Sequence, residues 1–200
     1  MPVPTLDEFR EILRTRTANE VVESAILAPE AKHLTQEDIS EVERVLRLSF
    51  HMDPADQISV HLVGSAKLGF SLVDKSTAAY YKPRYRDFTL DSDFDFAIVS
   101  QKLYYKLWRE LSLYSHRQHP FPWNSKLAAY MLIGWIRPDH FPTNPRPSQC
   151  QTWWELFGQL STERRFGGRR VRGALFFTKP FLIEYQSRAV LDCQLAEPAA

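Results

Sequence analysis

Two short segments of the sequence combine residue types that bind phosphates and metal ions. The first is Gly64-Ser65, at the end of an apolar β-type run, and the second is Asp93-Phe94-Asp95-Phe96. Alternate residues of a strand point to one face, so the two carboxylates project together while the phenylalanines point to the opposite, buried face. Paired carboxylates can hold Mg²⁺, which prefers oxygen ligands and keeps substrate phosphates in its shell. Gly64 permits a close backbone approach to a phosphate. The combination predicts a site for a nucleoside triphosphate and a metal.

These residues resemble the signature of the DNA polymerase beta-type nucleotidyltransferase superfamily. The family pattern is a hydrophobic residue, Gly, then Gly or Ser, and later an Asp-x-Asp between apolar neighbours, as in Ser92–Phe96 here. The run Ser65–Ser71 is similar to the family's short helix after Gly-Ser, which often carries a basic residue, here Lys67. The resemblance covers about Ile58 to Val99, and the following helix by order of elements.

The resemblance implies a fold, an activity and a set of roles. The fold is a small mixed β-sheet flanked by helices. The activity is transfer of a nucleoside monophosphate from a nucleoside triphosphate (NTP) to a hydroxyl, with release of pyrophosphate. On this interpretation Ser65 contacts the triphosphate, and Asp93 and Asp95 hold Mg²⁺ or Mn²⁺. Two metal ions would stabilise the attacking and the leaving oxygen.

A third carboxylate on a later strand is usual in the family. We expect it to be Glu184, an acid within the apolar run Phe181–Tyr185, because burying a carboxylate without a partner or a metal is costly. Glu184 would then join Asp93 and Asp95 as a catalytic and metal-binding residue. Asp192 is the alternative. If neither acid reaches the pair, nucleotide binding without catalysis remains.

Two basic segments are candidates for substrate contact. Five arginines surround Gly167-Gly168 between Arg164 and Arg172, and arginine is a planar, bidentate phosphate donor. We expect nucleotide-binding residues among Gly64, Ser65, Lys67, Arg169 and Arg170. The interval between Ser65 and Asp93 is longer than is usual in the family, and its extra length lies in 73–90. This insertion mixes tyrosines with Lys75, Lys82, Arg84 and Arg86. Each segment is alternatively a solvated surface loop.

The apolar periodicity predicts the elements that position these residues. Thr5 and Thr35 are predicted N-caps of helices in a region of residues 1–50 that is helical in pattern. Ile58–Val63, Phe94–Val99, Val171–Thr178 and Phe181–Tyr185 are predicted strands, the last two joined by a turn at Lys179-Pro180. Helices are predicted over Ala66–Leu72, Gln101–Leu113, Lys126–Trp135 and Trp153–Leu160.

Composition sets the broad class. The chain has 200 residues, is 44% hydrophobic and 13% aromatic, and has a formal net charge of +1, which excludes wholesale disorder. Residues 1–60 hold 12 acidic and 6 basic residues, whereas the rest holds 12 acidic and 19 basic residues, as expected if the later part meets a polyanion. No apolar run approaches a membrane span, and two separated cysteines favour a reducing cytoplasm.

The sequence therefore predicts an α/β or α+β fold in one nucleotidyltransferase-like domain. Residues 1–50 would form a helical N-terminal extension and residues 57–195 the catalytic core. The expected function is metal-dependent nucleotidyl transfer to RNA, protein or another nucleotide. The resemblance also implies a role in bacterial antiviral defence or in a toxin–antitoxin system. The alternative is an inactive member of the fold that binds nucleotide or nucleic acid, as a subunit beside a partner. The position of the third carboxylate separates the two.

Overall fold

A four-stranded mixed sheet lies at the centre of the structure, which is a computed structural model describing residues 2–28, 30–76, 80–117 and 121–197. In chain order the elements are α1 Leu6–Thr15, α2 Ala18–Val21, α3 Gln36–Ser49, β1 Ser59–Val63, α4 Ser65–Leu68, β2 Lys75–Ser76, β3 Tyr81–Lys82, β4 Phe94–Val99, α5 Gln101–Arg117, α6 Asn124–Leu132, β5 Trp135–Ile136, α7 Ser148–Thr162, β6 Val171–Phe176 and α8 Lys179–Ala196. The predicted α+β class is confirmed at this level.

The strand order is β1-β4-β6-β5. β4 is antiparallel to β1 and parallel to β6, and β5 is antiparallel to β6. Val63 at the end of β1 pairs with Asp95, and Asp95 pairs on its other side with Arg172 of β6. The register therefore brings the end of β1, the Asp-x-Asp segment and the start of β6 to one edge of the sheet.

Apolar side chains cover both faces of the sheet. Phe94, Phe96 and Ile98 point to one face and pack with α3, α5 and α7. Ala97 belongs to the cluster on the other face, where α1, α2 and α8 pack. The alternation of a strand puts Asp95 on the face of Ala97, so the carboxylate faces the side that α8 covers.

The N-terminal helices begin where the sequence predicts. Thr5 and Glu8 form a capping box, in which the Thr5 backbone N–H donates to Glu8 Oε2 at 2.8 Å. Thr35 and Asp38 form another, in which the Asp38 N–H donates to Thr35 Oγ1 at 3.2 Å. Each box satisfies backbone donors that the first turn of a helix leaves free. After α2 the chain continues through a π-helical turn, Val22–Ile26, that is largely buried.

The predicted strand Phe181–Tyr185 is wrong. The segment lies inside α8, which begins after Thr178 with Pro180 in its first turn. Proline is favoured at a helix start, where its missing N–H removes no intrahelical bond. The apolar run was too short to separate strand from helix. A second difference is that Trp135, predicted as a helix end, begins the short edge strand β5.

No helix within the described ranges is both long and apolar enough to cross a lipid bilayer.

Candidate functional site

Gly64 and Asp95 come together at the end of β1. Gly64 has φ +69°, in the region that L side chains rarely adopt. A Cβ on Gly64 would lie 3.3 Å from Asp95 Oδ2. Two features therefore favour glycine at position 64: the positive φ, and the Asp95 carboxylate, which leaves little space for a side chain. Ser65 is the next residue and the first of α4. Gly64-Ser65 and Asp95, which the sequence predicted to share a site, are therefore neighbours in the structure.

Asp93 lies just before β4 and forms an ion pair with Arg172. Arg172 Nε lies 2.9 Å from Asp93 Oδ2, and Arg172 Nη1 lies 3.9 Å from Asp139 Oδ2. Arg172 is also the residue of β6 that pairs with Asp95. A guanidinium therefore lies among the acids, on the strand next to the Asp-x-Asp segment.

The acids interact with each other as well as with Arg172. Burial, together with the negative charges of Asp93 and Asp139, raises the pKa of Asp95 to about 6, although Arg172 and Lys75 act in the opposite direction. A cation that binds next to Asp95 would lower this pKa and favour the ionised carboxylate. Asp95 is therefore a buried carboxylate, next to a second acid, whose negative charge its surroundings disfavour.

A cleft of about 490 Å³ lies between this edge of the sheet and α8. We call it the acidic cleft. Its polar lining includes Asp95, Arg137, Asp139, Arg172, Tyr185, Arg188 and Asp192, and Gly64 is part of its wall. Asp192, the alternative third acid of the sequence analysis, thus lines the same cleft as Asp95.

Glu184 is not brought to the acid pair. It is exposed on α8, and the residues that line the acidic cleft include its neighbour Tyr185 but not Glu184 itself. The reasoning that selected Glu184 required it to be a buried acid in a strand. In a helix its side chain points away from that of Tyr185, so the premise of that prediction is wrong.

Lys67 also has a different role from the one predicted. Its side chain is 2% exposed, and its ammonium donates hydrogen bonds to the carbonyls of Ala28 and Glu30. Burial lowers its pKa to about 8. Lys67 therefore holds the segment after α2 against α4, and the prediction of a phosphate contact is corrected.

The arginines of 164–172 separate into different positions. The Arg169 guanidinium lies 5.2 Å from the centre of the Phe88 ring, and its Nε donates to the Thr89 carbonyl at 3.3 Å. Arg170 is exposed and lines a second cleft, next to the acidic cleft. Arg172 alone of the group reaches the acid pair.

Within the insertion 73–90, the short strands β2 and β3 pair antiparallel. Arg84 is used within it, since its backbone N–H donates to Asp74 Oδ1 at 2.6 Å. Arg86 Nη1 donates to the Val73 carbonyl at 2.9 Å. Lys75, in contrast, is exposed and close enough to Asp95 to lower its pKa. Residues 77–79 lie outside the described part of the insertion.

Sequence reasoning missed Asp139. It lies in a proline-rich stretch without clear periodicity, where the structure has a short 3₁₀ turn, Pro138–His140. Its ion pairs with Arg172 and, at 3.4 Å, with Arg137 could not be seen from spacing alone. Arg172 was within a predicted phosphate-binding cluster, but its pairing with Asp93 follows only from the register of β6.

In the part of the chain that the structure describes, no three His, Cys, Asp or Glu side chains are grouped so that they could hold a metal ion. The set Asp93, Asp95 and Glu184 is therefore not assembled. Comparison with known proteins found no matching family model, no matching curated protein and no matching solved structure.

Proposed function

We propose that the protein is a nucleotidyltransferase that uses a divalent metal ion to move a nucleoside monophosphate from an NTP to a hydroxyl. The observation that carries the proposal is the closeness of Gly64 to Asp95. The strand that leads into Gly64-Ser65 pairs with the strand that contains Asp95, with Val63 opposite Asp95, and a Cβ on Gly64 would lie 3.3 Å from the Asp95 carboxylate. This is the arrangement that the family resemblance implies for a triphosphate beside its metal ion.

The residues fit a hard divalent cation. Asp93 and Asp95 offer carboxylate oxygens, and the pKa of Asp95 is raised by burial and by the charge of Asp93, so a bound cation would favour its ionised form. Mg²⁺ held by these two residues would neutralise charge that develops on the α-phosphate. Gly64 leaves space for a phosphate beside the backbone, and Ser65 offers a hydroxyl donor. Arg172 and Lys75 are the nearby cations for the remaining phosphate charge.

One observation favours a second candidate, a nucleotide-binding protein that does not catalyse transfer. The resemblance implies a third carboxylate beside the acid pair, whereas the charged side chain that pairs with Asp93 from the neighbouring strand is Arg172. If Arg172 stays paired with Asp93, its guanidinium occupies the position beside that carboxylate that a metal ion would need. Asp139 and Asp192, which line the acidic cleft, are the acids available to complete the site.

Label transfer tests the proposal. The protein is incubated with each α-³²P-labelled NTP and Mg²⁺ or Mn²⁺, alone and with total RNA or cell protein. We expect label in an acceptor, and its loss in Asp93→Asn and Asp95→Asn. Asp91→Asn, an exposed aspartate two positions before Asp93, is the matched control and keeps activity.

Glu184→Gln separates the sequence prediction from the structure. Glu184 is exposed on α8 outside the acidic cleft, so the variant is expected to transfer label at the wild-type rate. Metal-dependent NTP binding by calorimetry without transfer to any acceptor would favour the binding protein. Absence of both would overturn the proposal.

A further inference from the structure

A second cleft adjoins the acidic cleft on the other side of a shared wall. It has a volume of about 730 Å³ and lies between α7 and the segment that leads into β6. The wall common to both clefts consists of Pro138, Asp139, Arg172 and Gly173. A molecule in the second cleft would therefore end close to the acid pair. We call it the tryptophan cleft, because Trp153 and Trp154 of α7 contribute to it.

Trp154 has the surroundings of a stacking platform. Trp153 is 2% exposed and belongs to the core, whereas Trp154 is only partly buried. The Arg146 guanidinium lies 4.5 Å from the centre of the Trp154 ring. Next to Trp154 the cleft is open, since a Cβ on Gly158 would meet nothing within 4 Å. A planar group has room to enter beside the indole.

The charge around the tryptophan cleft is positive. Arg170 lines it and is exposed, and among the described residues no acidic partner of the Arg170 side chain is found. The one acid in the lining, Asp139, is already paired with Arg172 and Arg137. Arg146 adds a further guanidinium at Trp154. Arginines around an aromatic ring suit phosphates and stacked bases.

We propose that the tryptophan cleft binds the end of a single-stranded RNA, whose terminal hydroxyl is the acceptor of the nucleotidyl group. The proposal rests on the proposed function and names its acceptor. A base stacks on Trp154, Arg170 and Arg146 meet backbone phosphates, and the terminal ribose reaches the shared wall of Asp139 and Arg172. Only an unpaired strand offers a base face to an indole, because a duplex hides its base faces in the stack.

The reaction balances without a further reagent. The terminal ribose hydroxyl oxygen forms a bond to the α-phosphorus of the NTP. The bond between that phosphorus and the oxygen bridging to the β-phosphate breaks, and pyrophosphate leaves. The hydroxyl proton is released to water. The RNA gains one nucleotide, and no oxidation or reduction occurs.

Binding is tested apart from catalysis, with fluorescently labelled single-stranded RNA of about 12 nucleotides, a length within the usual range for one binding groove. Anisotropy is measured without NTP or metal at several salt concentrations. We expect tighter binding of the single strand than of its duplex. Trp154→Leu keeps apolar packing but removes the aromatic face, and is expected to weaken binding about 5- to 100-fold. Arg170→Gln should weaken it less and reduce the salt slope by about 1.

Matched controls lie outside the cleft. Trp108, 42% exposed on α5, is the control tryptophan, and Arg164, an exposed member of the same arginine segment, is the control arginine. Trp108→Leu and Arg164→Gln are expected to bind RNA as the wild type does. Circular dichroism and melting temperature establish that each variant is folded. Equal affinities of Trp154→Leu and Trp108→Leu, or equal binding of duplex and single strand, would overturn the proposal.

The two proposals fail in different ways. Asp95→Asn is expected to bind RNA normally and to transfer no label to it. If neither the wild type nor any variant transfers label but RNA binding still depends on Trp154, the nucleotidyltransferase proposal and the acceptor role of the RNA are wrong, and only RNA binding in the tryptophan cleft is supported. If label passes to a protein hydroxyl or to another nucleotide and RNA does not bind, the RNA-binding proposal is wrong and the nucleotidyltransferase proposal is supported. Binding of single-stranded DNA as tightly as RNA, with label transfer to DNA, would overturn the choice of RNA.

Discussion

At the scale of the residue, Asp95 gives the clearest consequence. Its pKa rises from an ordinary 3.8 to about 6 in the folded protein. The folded state therefore favours the protonated carboxyl. The resulting stabilisation is complete below about pH 4 and is lost as the pH rises through about 6. Near neutral pH the fold holds a carboxylate that its surroundings disfavour.

Asp95→Asn should therefore stabilise the metal-free protein near neutral pH. The expected gain in free energy of unfolding is about 1 to 3 kcal/mol, from a shift of roughly two pKa units. The gain should shrink as the pH falls from about 6 towards 4 and approach zero only below about pH 3, where the wild-type carboxyl is protonated in both states. Melting temperatures of both proteins across this pH range measure it, with Asp91→Asn as control. A variant less stable than the wild type at neutral pH would contradict the assignment.

Arg172 is predicted to act on metal and nucleotide with opposite signs. Its guanidinium pairs with Asp93 and lies where a metal ion would compete for the same carboxylate. Arg172→Gln frees Asp93, so Mn²⁺ alone should bind several-fold more tightly. The variant also lacks a cation for the phosphates, so NTP should bind several-fold more weakly. Calorimetry with Mn²⁺ and then with a metal–NTP complex gives both numbers. Changes of the same sign would mean that Arg172 only maintains the structure.

The residues of the site differ in how far the sequence could predict them. Gly64, Ser65, Asp93 and Asp95 could be paired because local chemistry marks each segment and the strand period fixes the direction of the acids. Arg172 and Asp139 required the register of β6 and the course of a proline-rich stretch, which no local pattern carries. The role of Lys67 could not be predicted from the sequence. A lysine shortly after Gly-Ser gives the same pattern whether its ammonium binds a phosphate or, as here, backbone carbonyls.

At the scale of the element, β6 depends on a close approach by α7. A Cβ on Gly173 would lie 2.2 Å from the Phe157 ring, so no larger residue fits without movement of α7 or β6. The position matters because Gly173 follows Arg172 directly, and both belong to the wall between the two clefts.

Gly173→Ala should lower the free energy of unfolding by about 1 to 3 kcal/mol, the usual cost of overpacking. Phe157→Leu in the same chain should recover part of the loss, because the clashing ring is gone. Gly158→Ala is the control: it lies within α7 with open space around it and should be neutral or stabilising by about 0.5 to 1 kcal/mol. Urea denaturation measures all four proteins. A neutral Gly173→Ala would show that the two elements are not in this contact.

Part of α8 was predicted as a strand, and its sequence shows why. Its buried residues, Leu182, Ser187, Val190 and Cys193, lie on one side of the helix. Phe181, Leu191 and Leu195 are apolar but exposed, so the sequence shows no amphipathic contrast. The short run Phe181–Tyr185 consequently had the composition of a strand. α3, in contrast, has Ile39, Val42 and Leu46 buried at helical spacing behind a capping threonine, and its position was predicted closely.

At the scale of the whole molecule, residues 1–50 are part of both cores. Phe9, Val21 and Val22 are buried in the cluster under α8, while Val42 and Leu46 are buried in the cluster on the opposite face of the sheet. The composition of this region suggested a helical extension. Its packing against both faces depends on long-range contacts that composition does not record.

Removal of residues 1–50 should therefore prevent folding of the rest. Large buried side chains would be lost from both faces of the sheet, each worth roughly 1.5 to 3 kcal/mol of burial, against a typical total stability of about 5 to 15 kcal/mol. The fragment 51–200 should lack cooperative unfolding in circular dichroism and be degraded rapidly by protease. A fragment with a sharp melting transition would instead support a separable extension.

The central claim is that the turn at Gly64-Ser65 and the pair Asp93 and Asp95 form one site for an NTP and a divalent metal ion. A crystal structure with Mn²⁺ and a non-hydrolysable NTP analogue tests it most directly. We predict an anomalous Mn²⁺ peak bound by both carboxylates, with the triphosphate against Gly64-Ser65 and Arg172 turned from Asp93 towards the phosphates. A nucleotide bound elsewhere, or Arg172 still paired with Asp93 beside a metal-free acid pair, would contradict the account.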